Sequence, residues 1–129
     1  MKRLRSRVAG LVLVCALVLA APALAKVLKG TPGDDKLLGT KSGDKLIGKA
    51  GDDVLRSSEG GDLVIGNSGS DFIKSGKGFD EIRAGRGDDE IHVRDGKPDQ
   101  IDCGQGEDTV LADGVEDGVV DCENVEEKE

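Results

Sequence analysis

Aspartate recurs at Asp35, Asp44, Asp53, Asp62, Asp71, Asp80 and Asp89, one every nine residues. After a one-residue insertion the series resumes at Asp99, Asp108 and Asp117. A carboxylate on a short stem at fixed spacing suits a hard cation; calcium, for one, takes six to eight oxygen ligands at roughly 2.3–2.6 Å. Glycine accompanies the aspartates. It stands two residues before many of them (Gly33, Gly51, Gly60, Gly69, Gly78, Gly87 and Gly106) and five before others (Gly30, Gly39, Gly48 and Gly66). Glycine admits positive φ, so a tight turn can aim its carbonyl oxygens at one point. Carboxylate and carbonyl together would make a mixed oxygen site.

The elements that must position these turns follow from the same period. Two residues beyond each aspartate stands an apolar residue: Leu37, Leu46, Leu55, Val64, Ile73, Ile82, Ile91, Ile101, Val110 and Val119. In an extended segment that residue points opposite to its neighbours and can face inward. Each unit thus reads G-x-x-G-x-D-x-U-x, with U apolar, and Gly30–Leu38 and Gly48–Arg56 are complete copies.

The pattern resembles the haemolysin-type, or RTX, calcium-binding nonapeptide repeat, over about residues 30–120. Departures are local. Thr31, Thr40 and Lys49 replace the second glycine of that motif, and Ser42 replaces the fourth-position glycine. Phe79 stands where a small polar residue is expected. Lys97 occupies the fourth position of the Asp99 unit, and Ala112 and Val115 the glycine positions of the Asp117 unit. The resemblance implies an all-β fold, a right-handed parallel β-roll (β-solenoid) of about five 18-residue coils, with two units per coil. It implies Ca2+ as the cofactor, held by the regular units: Gly30, Gly33, Asp35, Gly39, Asp44, Gly48, Gly51, Asp53, Gly60, Asp62, Gly66, Gly69, Asp71, Gly78, Asp80, Gly87 and Asp89. Units two apart would stack on one edge, at the inter-strand spacing of roughly 4.8 Å. One edge then carries Asp35, Asp53, Asp71 and Asp89, and the other Asp44, Asp62 and Asp80. Without a cation each edge is a ladder of like charges, so binding free energy becomes folding free energy.

The first 25 residues read differently. Lys2, Arg3, Arg5 and Arg7 precede an apolar run, Val8 to Ala21, and Ala23-Leu24-Ala25 forms a small-x-small cleavage signal. Residues 1–25 are therefore expected to be a cleaved secretory signal peptide, and the mature protein to be secreted and extracellular. The apolar run is shorter than the roughly 20 residues that span a bilayer, so no membrane insertion of the mature chain is expected. Cys15 lies inside that run and follows Val14, which argues against a lipidation site. The β-roll is expected over 26–122 and a solvated acidic tail over 123–129.

Beyond residue 25, fourteen basic residues face 26 acidic ones, a formal charge of −12, with two phenylalanines and no tryptophan or tyrosine. Such a chain cannot build a large core and stays disordered unless its charge is neutralised. An acidic chain without aromatic platforms is a poor ligand for nucleic acid, so its expected partners are calcium ions. Cys103 and Cys122 are an even pair in an exported chain and lie 19 residues apart, one coil plus one residue. That spacing predicts a disulfide closing the C-terminal end.

Three rival readings fare less well. Asp113 to Gly118 has the look of an EF-hand loop, but its third position is Val115 and its twelfth Asn124, where a bidentate Glu belongs. Enzymatic activity is not expected: the one histidine, His92, falls at an outward position, and no nucleophile–base pair is evident. The last reading is a structural or interaction module. Val54, Leu63, Ile65 and Phe72 fall at outward positions, where β-propensity alone explains them, and an open roll end leaves a sheet edge for a partner or self-assembly.

Overall fold

The computed structural model describes residues 24–113 and 117–127. Among them the chain forms twelve β-strands and no helix. The strands are β1 Val27–Lys29, β2 Lys36–Leu38, β3 Lys45–Ala50, β4 Val54–Glu59, β5 Leu63–Ser68, β6 Phe72–Lys77, β7 Glu81–Arg86, β8 Glu90–His92, β9 Gln100–Gln105, β10 Thr109–Ala112, β11 Gly118–Val120 and β12 Asn124–Glu127. Alternate strands go to alternate sheets. One sheet runs β1-β3-β5-β7-β9-β11 and the other β2-β4-β6-β8-β10-β12, and every pairing is parallel. This is the expected parallel β-solenoid, of about five coils.

The nine-residue unit dictates this winding. Its apolar residue sits mid-strand and its glycine–aspartate segment reverses the chain, so two units return it to the starting sheet. Two apolar columns result. Leu46, Val64, Ile82 and Ile101 stack in one sheet, and Leu55, Ile73, Ile91 and Val110 in the other, all with at most 1% exposure. Ser57, Ser75, Ala84 and Cys103 fill the remaining interior and are fully buried. The inserted residue is accommodated between β8 and β9. There Gly96 takes φ 78° and a Cβ on it would meet nothing within 4 Å, so the extra residue loops outward while Val93 keeps the core filled.

The C-terminal boundary differs from expectation. Asn124–Glu127 is not a free tail but the last strand, β12, paired with β10. All four of its residues are exposed, so backbone pairing to an open edge holds it rather than burial. The disulfide between Cys103 and Cys122 is present, with Cα atoms 5.2 Å apart, and ties the chain before β12 to β9. The expected signal peptide lies outside the described residues, save exposed Leu24 and Ala25.

Candidate functional site

The aspartates form two ladders along the roll. Each main-chain amide donates to the Oδ1 of the aspartate one coil later. On one edge Asp35 N–H reaches Asp53 at 2.8 Å, Asp53 reaches Asp71 at 2.8 Å, Asp71 reaches Asp89 at 2.7 Å and Asp89 reaches Asp108 at 2.8 Å. On the other, Asp44 N–H reaches Asp62 at 2.6 Å, Asp62 reaches Asp80 at 2.8 Å, Asp80 reaches Asp99 at 2.8 Å and Asp99 reaches Asp117 at 2.9 Å. The ladders therefore run past Asp89, through units whose glycines are replaced. Glu123 ends the first ladder by accepting the Asp108 amide at 3.0 Å.

These carboxylates are deeply placed. Every ladder aspartate from Asp44 to Asp108 is at most 4% exposed. One oxygen of each is spent on the ladder. The other, Oδ2, is buried without a well-formed hydrogen bond at Asp53, Asp62, Asp71, Asp80, Asp89, Asp99, Asp108 and Asp117, although the Ser57 and Ser75 hydroxyls and the Asp113 amide lie near enough to offset part of the burial at Asp62, Asp80 and Asp117. A buried carboxylate oxygen without a partner is costly. Burial duly raises the Asp53, Asp62, Asp108 and Asp117 carboxyls. It pushes Asp71 and Asp80 up to about 6, and Asp89 and Asp99 up to about 7, with neighbouring aspartates adding to the rise.

The first two rungs are different. Thr31 donates its amide and hydroxyl to Asp35 Oδ2, and Thr40 does the same for Asp44. At Asp44 burial acts upward, but the bonds from Thr40 and Lys26 outweigh it and the carboxyl lies below its ordinary value. Thr31 and Thr40, which read in sequence as lapses from the glycine motif, thus satisfy oxygens that are bare in later coils.

The glycines serve in two ways. Gly69, at the fourth position, holds φ 123°, and a Cβ there would strike the Gly51 backbone carbonyl. Gly51, Gly60, Gly78 and Gly87 share this positive φ. The first-position glycines Gly30, Gly39, Gly48 and Gly66 are needed for space instead. A Cβ on Gly48 would lie 2.9 Å from the Gly66 carbonyl oxygen and closer still to Asp53 Oδ2. The unpartnered carboxylate oxygen and a carbonyl oxygen of the next coil thus approach one point, an arrangement repeated at Gly66 with Asp71 Oδ2 and the Ala84 carbonyl. Gly33 lines the first turn without a strained φ, its amide donating to Thr31 Oγ1 at 3.2 Å.

Among the described residues no three His, Cys, Asp or Glu side chains converge as a metal cage. A cation here would need main-chain carbonyls beside its carboxylates, which is the mixture that hard divalent cations accept. The donor set fits calcium: all oxygen, anionic and short of positive partners.

A further row escaped the sequence reading. Asp52 N–H donates to Asp34 Oδ1 at 2.8 Å, Ser70 N–H to Asp52 at 2.8 Å and Glu107 N–H to Asp88 at 2.9 Å. These acids immediately precede Asp35, Asp53, Asp89 and Asp108, all on one edge. The signal was in the sequence as the doublets Asp34-Asp35, Asp52-Asp53 and Asp88-Asp89, 18 or 36 residues apart.

His92 lies beside Phe72, with ring centroids 4.9 Å apart, and 2.6 Å from Glu90 Oε1. That contact stays within the outer face of one sheet, away from the ladders.

Parallel coils, stacked glycine–aspartate turns and buried, half-satisfied carboxylates define a cation-binding solenoid. The RTX calcium-binding nonapeptide repeat (4 copies) matches residues 29–64 and 65–97, more than half of the chain. The protein belongs to this calcium-binding repeat family. No curated protein and no solved structure matches it.

Proposed function

We infer that the protein is an exported calcium-binding protein that completes its fold by taking up Ca2+ along both edges of the roll. The observation that carries this reading is the row of eight buried Oδ2 atoms without a well-formed hydrogen bond, Asp53 to Asp117. The chain's own residues do the preparatory work. Main-chain amides fix each carboxylate by its Oδ1, fourth-position glycines bend the turn in the regular units, and Gly48 and Gly66 leave room beside Oδ2 of Asp53 and Asp71. Bound calcium supplies the positive charge that the interior lacks. Asp35 and Asp44, already satisfied by threonine, act mainly as the starting template, whereas Asp99, Asp108 and Asp117 join the ligand set proposed from sequence.

Binding without catalysis is the role this site supports, because its carboxylates are all committed to the ladder or to the cation. Export follows from residues 1–25, and an extracellular setting suits an affinity on the order of 10⁻⁴–10⁻³ M. Far-UV circular dichroism of the processed protein, titrated with calcium from chelator, tests the reading. The spectrum should pass from disordered to β-rich with calcium and scarcely respond to magnesium, which demands tighter octahedral geometry. A chain already β-rich in chelator and unchanged by calcium would overturn it.

A further inference from the structure

We propose that the two ends of the folded roll are complementary, so that copies of this chain stack head to tail. The inference rests on the calcium-folded state above but concerns a different surface. Among the described residues each sheet stops at an unpaired parallel strand at both ends: β1 and β2 at the N-terminal rim, β11 and β12 at the C-terminal rim. The two apolar columns also run out to these rims. Leu28 and Leu37 end them on one side, and Val119 and Val125 on the other. Leu28, Leu37 and Val119 are only partly buried, and Val125 is 40% exposed.

Continuing the register one coil further sets Val119 of one copy against Leu28 of the next, and Val125 against Leu37. Both columns would then become continuous. The ladder continues as well. Each of its carboxylates accepts an amide from the preceding coil, and Asp35 has no preceding coil among the described residues. A second copy would present its Glu123 amide there.

Charge selects this orientation over the alternatives. The N-terminal coil carries Lys26, Lys29 and Lys36, with Asp34 and Asp35 in the turn between its strands, and is net positive. The C-terminal segment 117–127 carries Asp117, Asp121, Glu123, Glu126 and Glu127 and no base among its described residues. In continued register Lys26 faces Asp117 and Lys36 lies diagonal to Glu126, a spacing within reach of long side chains, two attractive pairs against the one like pair of Asp35 and Glu123. Two N-terminal rims, or two C-terminal rims, would set like charges together. A head-to-tail contact between unlike faces does not close on itself, so it builds open stacks. The contact area of one coil is small, so association belongs to the weak class.

Sedimentation velocity of the processed protein in saturating calcium, over concentrations rising to the millimolar range, reads the effect. Dichroism of the same samples establishes that the roll is folded. Average mass should climb with concentration without levelling at a dimer. Lys29→Glu with Lys36→Glu should weaken association about tenfold, as should Glu126→Lys with Glu127→Lys. Combining all four exchanges should restore it. A folded protein that stays monomeric throughout, a mass that stops at a dimer, or association indifferent to all these exchanges would overturn the proposal. Failure of calcium to induce folding would instead strike the calcium reading alone.

Discussion

One edge of the roll carries acids immediately before most of its ladder aspartates; the other carries its outer acids, Asp95 and Asp113, off that position. Asp34, Asp52, Asp88 and Glu107 immediately precede Asp35, Asp53, Asp89 and Asp108. On the opposite edge the corresponding places before Asp44, Asp62, Asp80 and Asp99 are Gly43, Gly61, Phe79 and Pro98. The ladder bonds on the two edges are nonetheless alike in length and burial. Asp71 and Asp80 share a carboxyl near 6, and Asp89 and Asp99 one near 7. Burial in the stack is therefore the main influence on each ladder carboxylate, and outer acids add charge on both edges, Asp52 and Asp88 on one and Asp95 on the other, without rebuilding the geometry.

The largest effect should come from cutting a ladder. Asp71→Ala removes both the acceptor for the buried Asp53 amide and a proposed ligand oxygen, and Asp80→Ala does the same for Asp62. Leaving a buried donor unsatisfied costs about 1–3 kcal/mol on its own. Each variant should raise the calcium concentration needed for folding by tenfold or more, followed by dichroism. The edges should respond nearly equally; tolerance on one edge alone would break the equivalence. Asp71→Asn separates the two contributions. It keeps an oxygen acceptor but removes the charge, so it should weaken calcium binding while making the metal-free roll easier to form.

Acid should substitute partly for calcium. Asp71, Asp80, Asp89 and Asp99 have carboxyls raised by burial to about 6 or 7, from an ordinary value of 3.8. A group raised on folding favours the folded state fully below its unfolded value and loses that contribution as pH rises through the folded one. The calcium-free chain should therefore gain β signal as pH falls from 8 towards 5, by dichroism. Loss of β signal over that range would contradict the assignment of these buried carboxyls.

The smallest effect sharpens the contrast between edges. Asp52→Asn keeps the acceptor for the Ser70 amide and removes one outer charge. The calcium midpoint should move by about twofold, in the range of a single partly exposed charge. A shift as large as that of Asp71→Ala would place the outer acids among the ligands.

Much of this architecture could be read from the sequence because its period is strict. The apolar residue two beyond each aspartate set the strand centres, and the 18-residue return set the two edges and brought Cys103 to Cys122. The extent of the ladder was harder to see. Sequence reading tied the site to glycine, and glycine is lost around Asp99 and Asp117. The ladder, however, is made by main-chain amides meeting aspartate, so it survives Ala84, Cys103 and Ala112 at glycine positions. The strand Asn124–Glu127 was hidden for a similar reason. Its residues are exposed and acidic, and only the open edge of β10 makes a strand of them. Thr31 and Thr40 looked like departures because their contacts with Asp35 and Asp44 depend on how the turn closes.

The central claim is that the bare Oδ2 atoms face calcium. The most direct measurement is a crystal structure of the calcium-loaded protein with anomalous scattering to mark the ions. Anomalous peaks should lie between successive coils along both edges, beside Oδ2 of Asp53, Asp62, Asp71, Asp80 and Asp89, with main-chain carbonyls completing each shell. Ordered water or main-chain amides at those oxygens, with calcium bound elsewhere on the acidic surface, would contradict the account.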